Sequence, residues 1–428
     1  MMRVLVVGAG GFIGRHLTAR LAGEGLQVVA AGRDPNALSR LLPGVEIVPC
    51  NLAHDGSGDW AQRLNGFDAV VNCAGIIGAG ADYAGVHQRG AIALFDGARG
   101  ADVGRVIQIS ALGADETGTT PYHRSKRAAD DHLARLDADG TAMGWAILRP
   151  SLVLGRGGAS SALFAALAAL PVRPRLGGGH WQVQPIHVDD LVEIVVHLLR
   201  APRALCARLD VVGPAAMSTD ELTAVMGRWL GLEMGRTPVL PIPRWLLSFV
   251  TLAGIGPASP ESLTMLAAGN TAPLAPLVEA TGIMPRLLEQ VLALHPSTSA
   301  DLAMSRLAPM IPVMRWLLAL VWLAGGLVSL GLAPAGSTDA MLERLGLAGT
   351  AAMVALWAGS LADIAVGLAI LARWRGGALA GVMLMGGYTT ILSAVAPELW
   401  ADPFGPLVKN LAVLGLSLAV HALEMRRG

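Results

Sequence analysis

The chain has 428 residues, with 32 basic and 32 acidic side chains and a formal net charge of zero. This balance lacks the basic excess of nucleic-acid-binding domains, so the composition predicts no nucleic-acid partner. Hydrophobic residues make up 53% of the chain and charged residues 15%. The apolar excess is concentrated after about Pro309, which predicts a soluble part joined to a membrane part.

The three cysteines, Cys50, Cys73 and Cys206, show no motif spacing and indicate ordinary thiols in a reducing compartment. No cluster of histidine and cysteine in the sequence suggests a metal site. The first predicted strand begins at Arg3 without a basic and apolar leader before it. We therefore expect no signal peptide and an N-terminal domain that stays in the cytoplasm.

The first element is the run VLVVGAGGFIG, from Val4 to Gly14. Its four apolar, mostly β-branched residues predict a strand that is buried on both faces. Gly8, Gly11 and Gly14 then follow at three-residue spacing. Such glycines allow a tight turn, a close approach of a pyrophosphate and packing of the next helix, whose N-terminus offers N–H groups to phosphates. A glycine turn without a ligand is the alternative.

Strands and helices alternate to about residue 200, which predicts an α/β fold with a Rossmann-type doubly wound parallel sheet. Such sheets bind ligands at the carboxyl ends of their strands, so the residues just past the strands are the candidates for a site. The predicted strands are Arg3–Gly8, Gln27–Gly32, Val45–Cys50, Ala69–Cys73, Arg105–Ser110 and Trp145–Leu148.

The second strand ends in the sequence Gly32-Arg33-Asp34. An acidic residue at this point accepts hydrogen bonds from the ribose of NAD, whereas a guanidinium suits the 2′-phosphate of NADP. Because Arg33 comes first, we expect NADP(H) to be preferred over NAD(H). The alternative is that Arg33 is a solvated surface charge and that Asp34 binds the ribose.

The fifth strand leads into a helix that carries Tyr122 and Lys126. Residues four apart share one face of a helix. A lysine ammonium beside a tyrosine hydroxyl is expected to lower the pKa of the phenol, which permits proton transfer to or from a substrate oxygen near neutral pH. Ser110, at the end of the strand, is expected to hold the same oxygen.

Residues 1 to about 294 resemble the short-chain dehydrogenase/reductase superfamily in its extended or atypical branch. The resemblance lies in the segments GAGGFIG, NCAG, ISALGAD, YHRSK, LRPSLVLGRGG and PIHVDDLVEIV. The run SALGAD and the segment LAAGNTAPLAPLVEATGIMPRLLEQVL are most similar to the branch that contains the NADPH-binding accessory subunit of respiratory complex I. Members of that branch include proteins that hold NADPH without known turnover.

This resemblance implies a catalytic triad of Ser110, Tyr122 and Lys126. It also implies a cofactor site in which the glycines bind the dinucleotide phosphates, Arg33 binds the 2′-phosphate, and Pro150 and Ser151 border the nicotinamide. The cofactor-binding residues are Gly8, Gly11, Phe12, Ile13, Gly14, Arg33, Asn51, Leu52, Cys73, Ala74, Gly75, Tyr122, Lys126, Pro150 and Ser151.

The sequence departs from the family pattern in three places. Asn51 stands where an aspartate near the adenine is usual, and His87 stands where an asparagine often follows strand four. The interval between Ser110 and Tyr122 is short for epimerase-type members. Because of this short interval, the sequence argues against a reaction on a sugar nucleotide.

Four apolar stretches follow Pro309, each about long enough to cross a hydrocarbon core of about 30 Å. They are Val313–Leu332, Leu347–Leu371, Gly377–Ala396 and Leu407–Leu423. Basic residues lie at the start of the first stretch, between the second and third, and after the fourth. The other two loops carry Asp339, Glu343 and Arg344, and Glu398 and Asp402. Lys409, on the outer side, departs from this alternation and can snorkel. This alternation is what the positive-inside rule requires for four spans with both ends in the cytoplasm. The basic residues are Arg306, Arg315, Arg373, Arg375, Arg426 and Arg427. A soluble helical bundle is the alternative.

Asp363 lies inside the second stretch and shares a helix face with Gly359 and Gly367. A carboxyl group in lipid is costly and is expected to face the bundle interior, where small residues allow close helix contact. Two interpretations stay open, namely a hydrogen bond between helices and a proton- or quinone-linked site with Tyr388 and Thr389. By length, span count and glycine-rich helices, this part resembles the DoxX-like family.

We therefore predict that residues 1–300 form an NAD(P)-binding domain, with 151–300 mostly a substrate subdomain, and that residues 309–428 form a four-helix transmembrane bundle. The predicted function is a membrane-anchored, NADP(H)-dependent oxidoreductase. It would transfer hydride to or from a carbonyl, a hydroxyl or a quinone-like group of a small, apolar substrate. The alternatives are a non-catalytic NADPH-binding structural or redox-sensing module of a membrane complex, and a nucleotide-sugar epimerase or dehydratase.

The predicted location is the inner membrane, which the chain would cross several times. The N-terminal domain and the C-terminus would both lie in the cytoplasm, as the distribution of basic residues indicates. The expected partners are the lipid bilayer, an apolar substrate and, under the module alternative, other subunits of a membrane complex.

Overall fold

The computed structural model describes residues 1–78, 80–136, 143–242, 260–332 and 339–424. The chain divides into two compact units, Met1–Arg306 and Leu307–Gly428. The basic pair expected after the last apolar stretch, Arg426 and Arg427, lies outside the described residues.

The first unit is built on a seven-stranded, all-parallel sheet. The strands of this unit are β1 (Arg3–Val7), β2 (Gln27–Gly32), β3 (Glu46–Pro49), β4 (Ala69–Asn72), β5 (Arg105–Ile109), β6 (Gly144–Pro150), β7 (Val153–Leu154), β8 (Arg173–Arg175), β9 (Gln182–Val183), β10 (Ile186–His187), β11 (Ala207–Val211), β12 (Met217–Ser218) and β13 (Val239–Pro241). The order across the large sheet is β11-β6-β5-β4-β1-β2-β3, so the chain order reverses beside β1. A reversal of this kind leaves a crevice at the carboxyl ends of the strands where ligands bind.

Helices cover both faces of this sheet. The helices of the first unit, among its described residues, are α1 (Phe12–Gly23), α2 (Pro35–Leu41), α3 (Ser57–Arg63), a π-helical segment (Ala84–Gly90), α4 (Ala91–Gly100), α5 (Pro121–Leu136), α6 (Ala159–Ala169), α7 (Val188–Arg200), α8 (Thr219–Trp229), α9 (Pro260–Ala268), α10 (Ala275–Thr281), α11 (Leu288–Leu294) and α12 (Ser299–Leu307). Strand β1 shows why both faces are covered. Val4 and Val6 pack into one core cluster, with α1 and α7, whereas Leu5 and Val7 pack into the other, with α3 and α4.

The predicted α/β class and parallel sheet are confirmed, and the predicted strands differ from the observed ones only at their ends. Strand β6 differs most, because it runs from Gly144 to Pro150 rather than from Trp145 to Leu148. Its two last residues, Arg149 and Pro150, are buried at the carboxyl edge. The longer strand therefore carries these residues into the region of the expected site.

A third core cluster lies in the C-terminal half of the first unit. It packs Phe164, Trp181, Leu222, Leu266 and Leu288 from separate segments of residues 154–292. This cluster gives the residues that follow β6 a core of their own, separate from the two clusters on the large sheet.

The second unit consists of α13 (Met310–Leu327), α14 (Asp339–Arg344), α15 (Gly349–Leu371), α16 (Gly377–Val395) and α17 (Pro406–Glu424). Four of its helices are long and apolar enough to cross a membrane, which confirms the four predicted stretches. Their large apolar side chains remain exposed at Leu320, Trp357, Met383 and Leu411. This outward apolar surface is what a lipid-facing bundle requires.

Glycines bring α13 and α15 together. A Cβ atom at Gly367 would lie 2.7 Å from Leu323, and one at Gly326 would lie 2.8 Å from Ile364. Ion pairs then join the ends of the bundle, since Arg344 pairs with Glu398 across the first and third loops. These contacts place alternate loops at the same end of the bundle, as four antiparallel helices require.

Asp363 takes part in a contact between helices. The Tyr388 hydroxyl of α16 donates to an Asp363 carboxyl oxygen of α15 at 3.1 Å. Thr389, which was expected to share this site, instead accepts a hydrogen bond from Asn410 of α17 at 2.8 Å. Asp363 therefore makes a hydrogen bond between helices, and the proton- or quinone-linked site stays a prediction.

Candidate active site

The glycine turn between β1 and α1 is closed by a hydrogen bond of 3.0 Å from the Gly11 N–H to the Gly8 carbonyl. Gly8 has a φ of +76°, and a Cβ atom there would lie 2.8 Å from the backbone of Ala74. A Cβ atom at Gly14 would collide with the Gly8 carbonyl. These positions therefore require glycine, because the backbone of α1, β1 and the loop after β4 meet here.

Helix α1 begins without a side-chain cap. Gly11 is its N-cap residue and offers no side chain to the N–H groups of the first turn. Phe12, Ile13 and Gly14 are the first three helical residues, and their N–H groups are the ones that a helix leaves without intrahelical partners. A phosphate is stabilised at such an end by these donors and by the helix dipole. The turn therefore fits the pyrophosphate of a dinucleotide.

Arg33 and Asp34, which follow β2, have different roles. Asp34 is the N-cap of α2, and its carboxylate accepts the Ala37 N–H at 2.9 Å. Arg33 is exposed and has no ion-pair partner among the described residues. One Asp34 oxygen therefore caps α2, and the other makes no described hydrogen bond.

Asn51 and Leu52 follow the third strand. The Asn51 side-chain oxygen accepts the Ala53 N–H at 3.3 Å, and the Asn51 N–H donates to Asp55 at 2.7 Å. Leu52 is buried. Asn51 therefore stabilises its own turn at the edge of the sheet, which an aspartate at the same position could also do.

Lys126 lies on the floor of the candidate site. Its buried ammonium donates to the carbonyl of Ala74 at 3.1 Å and to that of Ile109 at 2.9 Å, so it joins the carboxyl ends of β4 and β5. Burial lowers the pKa of Lys126 to about 8, against the opposing effect of nearby Asp130. Lys126 is therefore a cation that is held in place and is close to losing its charge.

The loop after β4 passes directly over this ammonium. A Cβ atom at Gly75 would lie 3.6 Å from the Lys126 amine nitrogen. The Ala74 N–H donates to Asn72 at 3.1 Å, which fixes the start of the loop. Burial raises the pKa of the Cys73 thiol to about 12, so Cys73 is a neutral part of the wall at physiological pH.

Ser110 lies at the end of β5, as the sequence predicts, and its hydroxyl has a partner that the sequence analysis did not name. Its buried hydroxyl donates to Asp130 at 2.7 Å, and Asp130 also accepts a hydrogen bond from Arg149 at 3.3 Å. The Asp130 side chain is completely buried, and burial raises its pKa to about 6. Ser110 therefore belongs to a buried network beneath Lys126, and its described hydrogen bond does not point to Tyr122.

The expected lowering of the Tyr122 pKa is also corrected by the structure. Burial raises the pKa of Tyr122 to about 12, and the negative charges of Glu261 and Asp130 act in the same direction. The described hydrogen bonds of the Lys126 ammonium go to two backbone carbonyls rather than to the Tyr122 hydroxyl. Tyr122 is therefore a proton donor at neutral pH and a poor proton acceptor.

His87 connects the loop after β4 to the helix of Tyr122. Its Nε2 atom accepts the Ile76 N–H at 2.9 Å, which places the ring proton on Nδ1, 3.1 Å from the Ser125 hydroxyl. Ser125 in turn donates to the Tyr122 carbonyl at 2.8 Å. Burial lowers the pKa of His87 to about 3, so the ring is neutral. His87 can therefore brace this loop in place of the asparagine that the family pattern has.

Two further residues that the sequence did not indicate lie beside Tyr122. One oxygen of the Glu261 carboxylate accepts the Tyr122 N–H at 3.2 Å, and the other accepts the Tyr83 hydroxyl at 2.5 Å. The Tyr83 and Tyr122 rings meet edge to face, with centroids 5.9 Å apart. Glu261 is 139 residues from Tyr122 along the chain, so no local pattern could have joined them.

Pro150 and Ser151 end β6 at the same edge of the sheet. The Pro150 carbonyl accepts the Leu112 N–H at 2.9 Å, and the Ser151 hydroxyl donates to the Gln184 carbonyl. Both residues are buried. The structure therefore places the predicted residues from β1, β4, β5 and β6 along one edge, with Ser110 turned into the interior. Among the described residues, no group of three or more His, Cys, Asp or Glu side chains could hold a metal ion.

Two family models match separate parts of the chain. Residues 4–211 match the NAD dependent epimerase/dehydratase family, and residues 319–418 match the DoxX-like family. The chain therefore carries an epimerase/dehydratase-like Rossmann domain followed by a DoxX-like domain with four apolar helices.

Several curated proteins are similar to part of this chain. A ceramide reductase of Caulobacter vibrioides is 35% identical over 46% of this chain, and the match spans 61% of that protein. A 2-alkyl-3-oxoalkanoate reductase of Stenotrophomonas maltophilia is 29% identical over 48% of this chain and 68% of that protein. The mitochondrial NADH dehydrogenase (ubiquinone) 1 alpha subcomplex subunit 9 of Arabidopsis thaliana is 26% identical over 56% of this chain and 60% of that protein.

Solved structures share the fold of the first unit. The structure described as MoeE5 in complex with UDP-glucose and NAD superposes with a TM-score of 0.53 at 21% identity, over 71% of this chain and 98% of that one. At this identity the likeness shows the fold alone. It adds no argument about the substrate.

Proposed function

We propose that this protein is a membrane-anchored, NADP(H)-dependent oxidoreductase that reduces a ketone group on a long-chain, apolar substrate. The observation that carries the proposal is the placement of Tyr122 and Lys126. They lie one turn apart on α5, with the Lys126 ammonium held by the carbonyls of Ala74 and Ile109 at the carboxyl ends of β4 and β5. This edge is where a parallel sheet of this order holds its nucleotide and its substrate.

The cofactor side of the proposal rests on the glycine turn and on Arg33. Phe12, Ile13 and Gly14 would bind the pyrophosphate through their N–H groups. Arg33 would bind the 2′-phosphate, because it is exposed, directly follows β2 and has no ion-pair partner among the described residues. We therefore propose NADP(H), rather than NAD(H), as the preferred cofactor.

We propose reduction as the working direction, because two of the relatives are named as reductases. A bound NADPH would supply the hydride. Tyr122 keeps its proton at neutral pH, because its pKa is about 12, and would donate this proton to the substrate oxygen. The Lys126 ammonium lies beneath the loop of Gly75 and would stabilise the negative charge that the tyrosine leaves behind.

The membrane domain and the relatives support an apolar substrate. The four apolar helices would keep the first unit at the bilayer, where long-chain molecules are concentrated. Two of the relatives are named as reductases of ceramide, which is a lipid, and of 2-alkyl-3-oxoalkanoate, which carries alkyl groups. We propose the inner membrane, with both chain ends in the cytoplasm, because this location gives the site access to NADPH.

A cofactor titration tests the proposal. The full chain in detergent is titrated with NADPH and NADH, and long-chain ketones and a short-chain quinone are then added to the NADPH complex. NADPH binding about tenfold or more tighter than NADH, followed by stoichiometric oxidation with a ketone, is expected. Oxidation by the quinone alone would assign a quinone reductase, and no binding of either nucleotide would refute the proposal.

The non-catalytic alternative is favoured by one observation, the hydrogen bond of Ser110 to Asp130. A site that lacks the hydroxyl for the substrate oxygen could bind NADPH and turn nothing over. Tight NADPH binding without oxidation by any ketone or quinone would favour this alternative.

The epimerase or dehydratase alternative is favoured by the family match over residues 4–211. An enzyme of that type returns its cofactor to the starting state in each cycle. Product formation without net consumption of NADPH would therefore favour it.

A further inference from the structure

The carboxylate of Glu261 reaches the candidate site from outside the nucleotide-binding sheet. Glu261 lies in the first turn of α9 and accepts the N–H of Tyr122 at 3.2 Å and the hydroxyl of Tyr83 at 2.5 Å. The Tyr122 N–H belongs to the first turn of α5, which has no intrahelical partner for it. Glu261 thus caps the helix of the proton donor and holds a fixed place beside it.

The described side chain that donates to the Glu261 carboxylate is Tyr83, which is a neutral phenol. The Tyr83 hydroxyl accepts a hydrogen bond from the Gly78 N–H at 3.1 Å. The Tyr83 ring stacks on the neutral His87 ring, with a centroid distance of 5.4 Å. His87 and Tyr122 meet edge to face at 5.3 Å. Lys126 is the cation of the site, but its ammonium is bound to two carbonyls beneath the loop.

Two carboxylates lie near Tyr122. Glu261 accepts the Tyr122 N–H at 3.2 Å. Burial raises the pKa of the Tyr122 hydroxyl, and the smaller effects of the charges of Glu261 and Asp130 act in the same direction. A substrate carboxylate or phosphate near this hydroxyl would add another negative charge and would be repelled. A neutral amide N–H or hydroxyl would be attracted, because each Glu261 oxygen retains a free lone pair beyond its described hydrogen bond.

We propose that Glu261, held by Tyr83, is a specificity-determining residue that selects neutral long-chain ketones with an amide or hydroxyl donor near the ketone and rejects those with a free carboxylate or phosphate. This inference rests on the proposed function. Of the two kinds of substrate named among the relatives, the inference favours the neutral one, ceramide, over the carboxylate, 2-alkyl-3-oxoalkanoate. Free 3-oxo acids and nucleotide-linked substrates are thereby poor substrates.

The test compares two substrates that differ in one group. A long-chain 3-oxo acid and its N-(2-hydroxyethyl) amide are reduced by the full chain in detergent with NADPH near neutral pH, and kcat/KM is measured for each. The amide is expected to be preferred about tenfold or more. Equal kcat/KM values, or a preference for the acid, would overturn the inference while leaving the proposed function intact.

Two variants test whether the preference for the amide over the acid depends on Glu261. Glu261→Gln keeps the size and the acceptor oxygen but removes the charge, and it is expected to bring the ratio close to one by raising kcat/KM for the acid. Glu279→Gln, at an exposed glutamate of α10, is the matched control and is expected to leave the ratio unchanged. An unchanged ratio in a Glu261→Gln protein that binds NADPH normally would also overturn the inference.

A second measurement does not depend on any variant. The saturated analogues of the two substrates, with methylene in place of the ketone, are compared as competitive inhibitors of the wild-type chain. The amide is expected to inhibit about tenfold or more tightly than the acid, and equal inhibition would contradict the inference. If the wild-type chain binds NADPH but reduces neither ketone, the proposed function fails, and this inference fails with it.

Discussion

Replacement of Gly8 by alanine tests the glycine turn, and the chain offers a matched control in Gly25. Both glycines have a φ of +76°. A Cβ atom at Gly8 would lie 2.8 Å from Ala74 backbone atoms, whereas a Cβ atom at Gly25 would meet nothing within 4 Å. The two substitutions therefore share the backbone strain and differ in the collision.

The magnitudes follow from these two terms. A left-handed backbone costs an alanine about 1–2 kcal/mol, so Gly25→Ala is expected to lower the free energy of unfolding by this amount. Gly8→Ala adds an overpacking cost of about 1–3 kcal/mol, because backbone atoms of the loop after β4 must move. The expected total for Gly8→Ala is about 2–5 kcal/mol.

The assay is thermal unfolding in detergent together with an NADPH titration. Gly8→Ala is expected to melt lower than Gly25→Ala and to bind NADPH about tenfold or more weakly, because the turn must shift away from Ala74. Gly25→Ala is expected to bind NADPH as the wild type does. Equal melting temperatures and unchanged NADPH affinity in the two variants would refute the assignment of this turn as the phosphate site.

Three further predictions follow from the same site and from the membrane domain. Arg33→Ser is expected to weaken NADPH binding about tenfold and leave NADH binding unchanged in a fluorescence titration, with Arg40→Ser as the exposed control. Ketone reduction is expected to fall as the pH rises through about 8, where Lys126 loses its charge, and a rate that stays flat above that pH would contradict this role. Tyr388→Phe is expected to lower the melting temperature by removing the donor to Asp363, a loss of about 0.5–1.5 kcal/mol.

The parts of the fold that depend on local pattern could be predicted from the sequence. Strand β1 is recognisable because four successive apolar residues must be covered on both faces, as Val4 and Leu5 are. The four long apolar helices are recognisable because a bilayer demands length and apolarity of each helix by itself. The glycine spacing is recognisable because the close approach of the backbone restricts these positions to glycine.

The details of the site depend on contacts that local pattern does not contain. The direction of the Ser110 hydroxyl was missed, because successive residues at a strand end point to opposite faces and Asp130 provides a buried acceptor. The position of Asp130, four residues after Lys126, was a signal that could have indicated this partner. The raised pKa of Tyr122 could not be predicted, because it depends on burial and on Glu261, which lies 139 residues away.

The central claim is that Tyr122 donates the proton for ketone reduction by bound NADPH. The most direct measurement is single-turnover oxidation of NADPH by a neutral long-chain ketone, in the wild-type chain and in Tyr122→Phe. The account predicts stoichiometric oxidation in the wild type and oxidation slowed about 10²–10⁴-fold in the variant, with NADPH binding retained. Equal rates in the two proteins would contradict the claim.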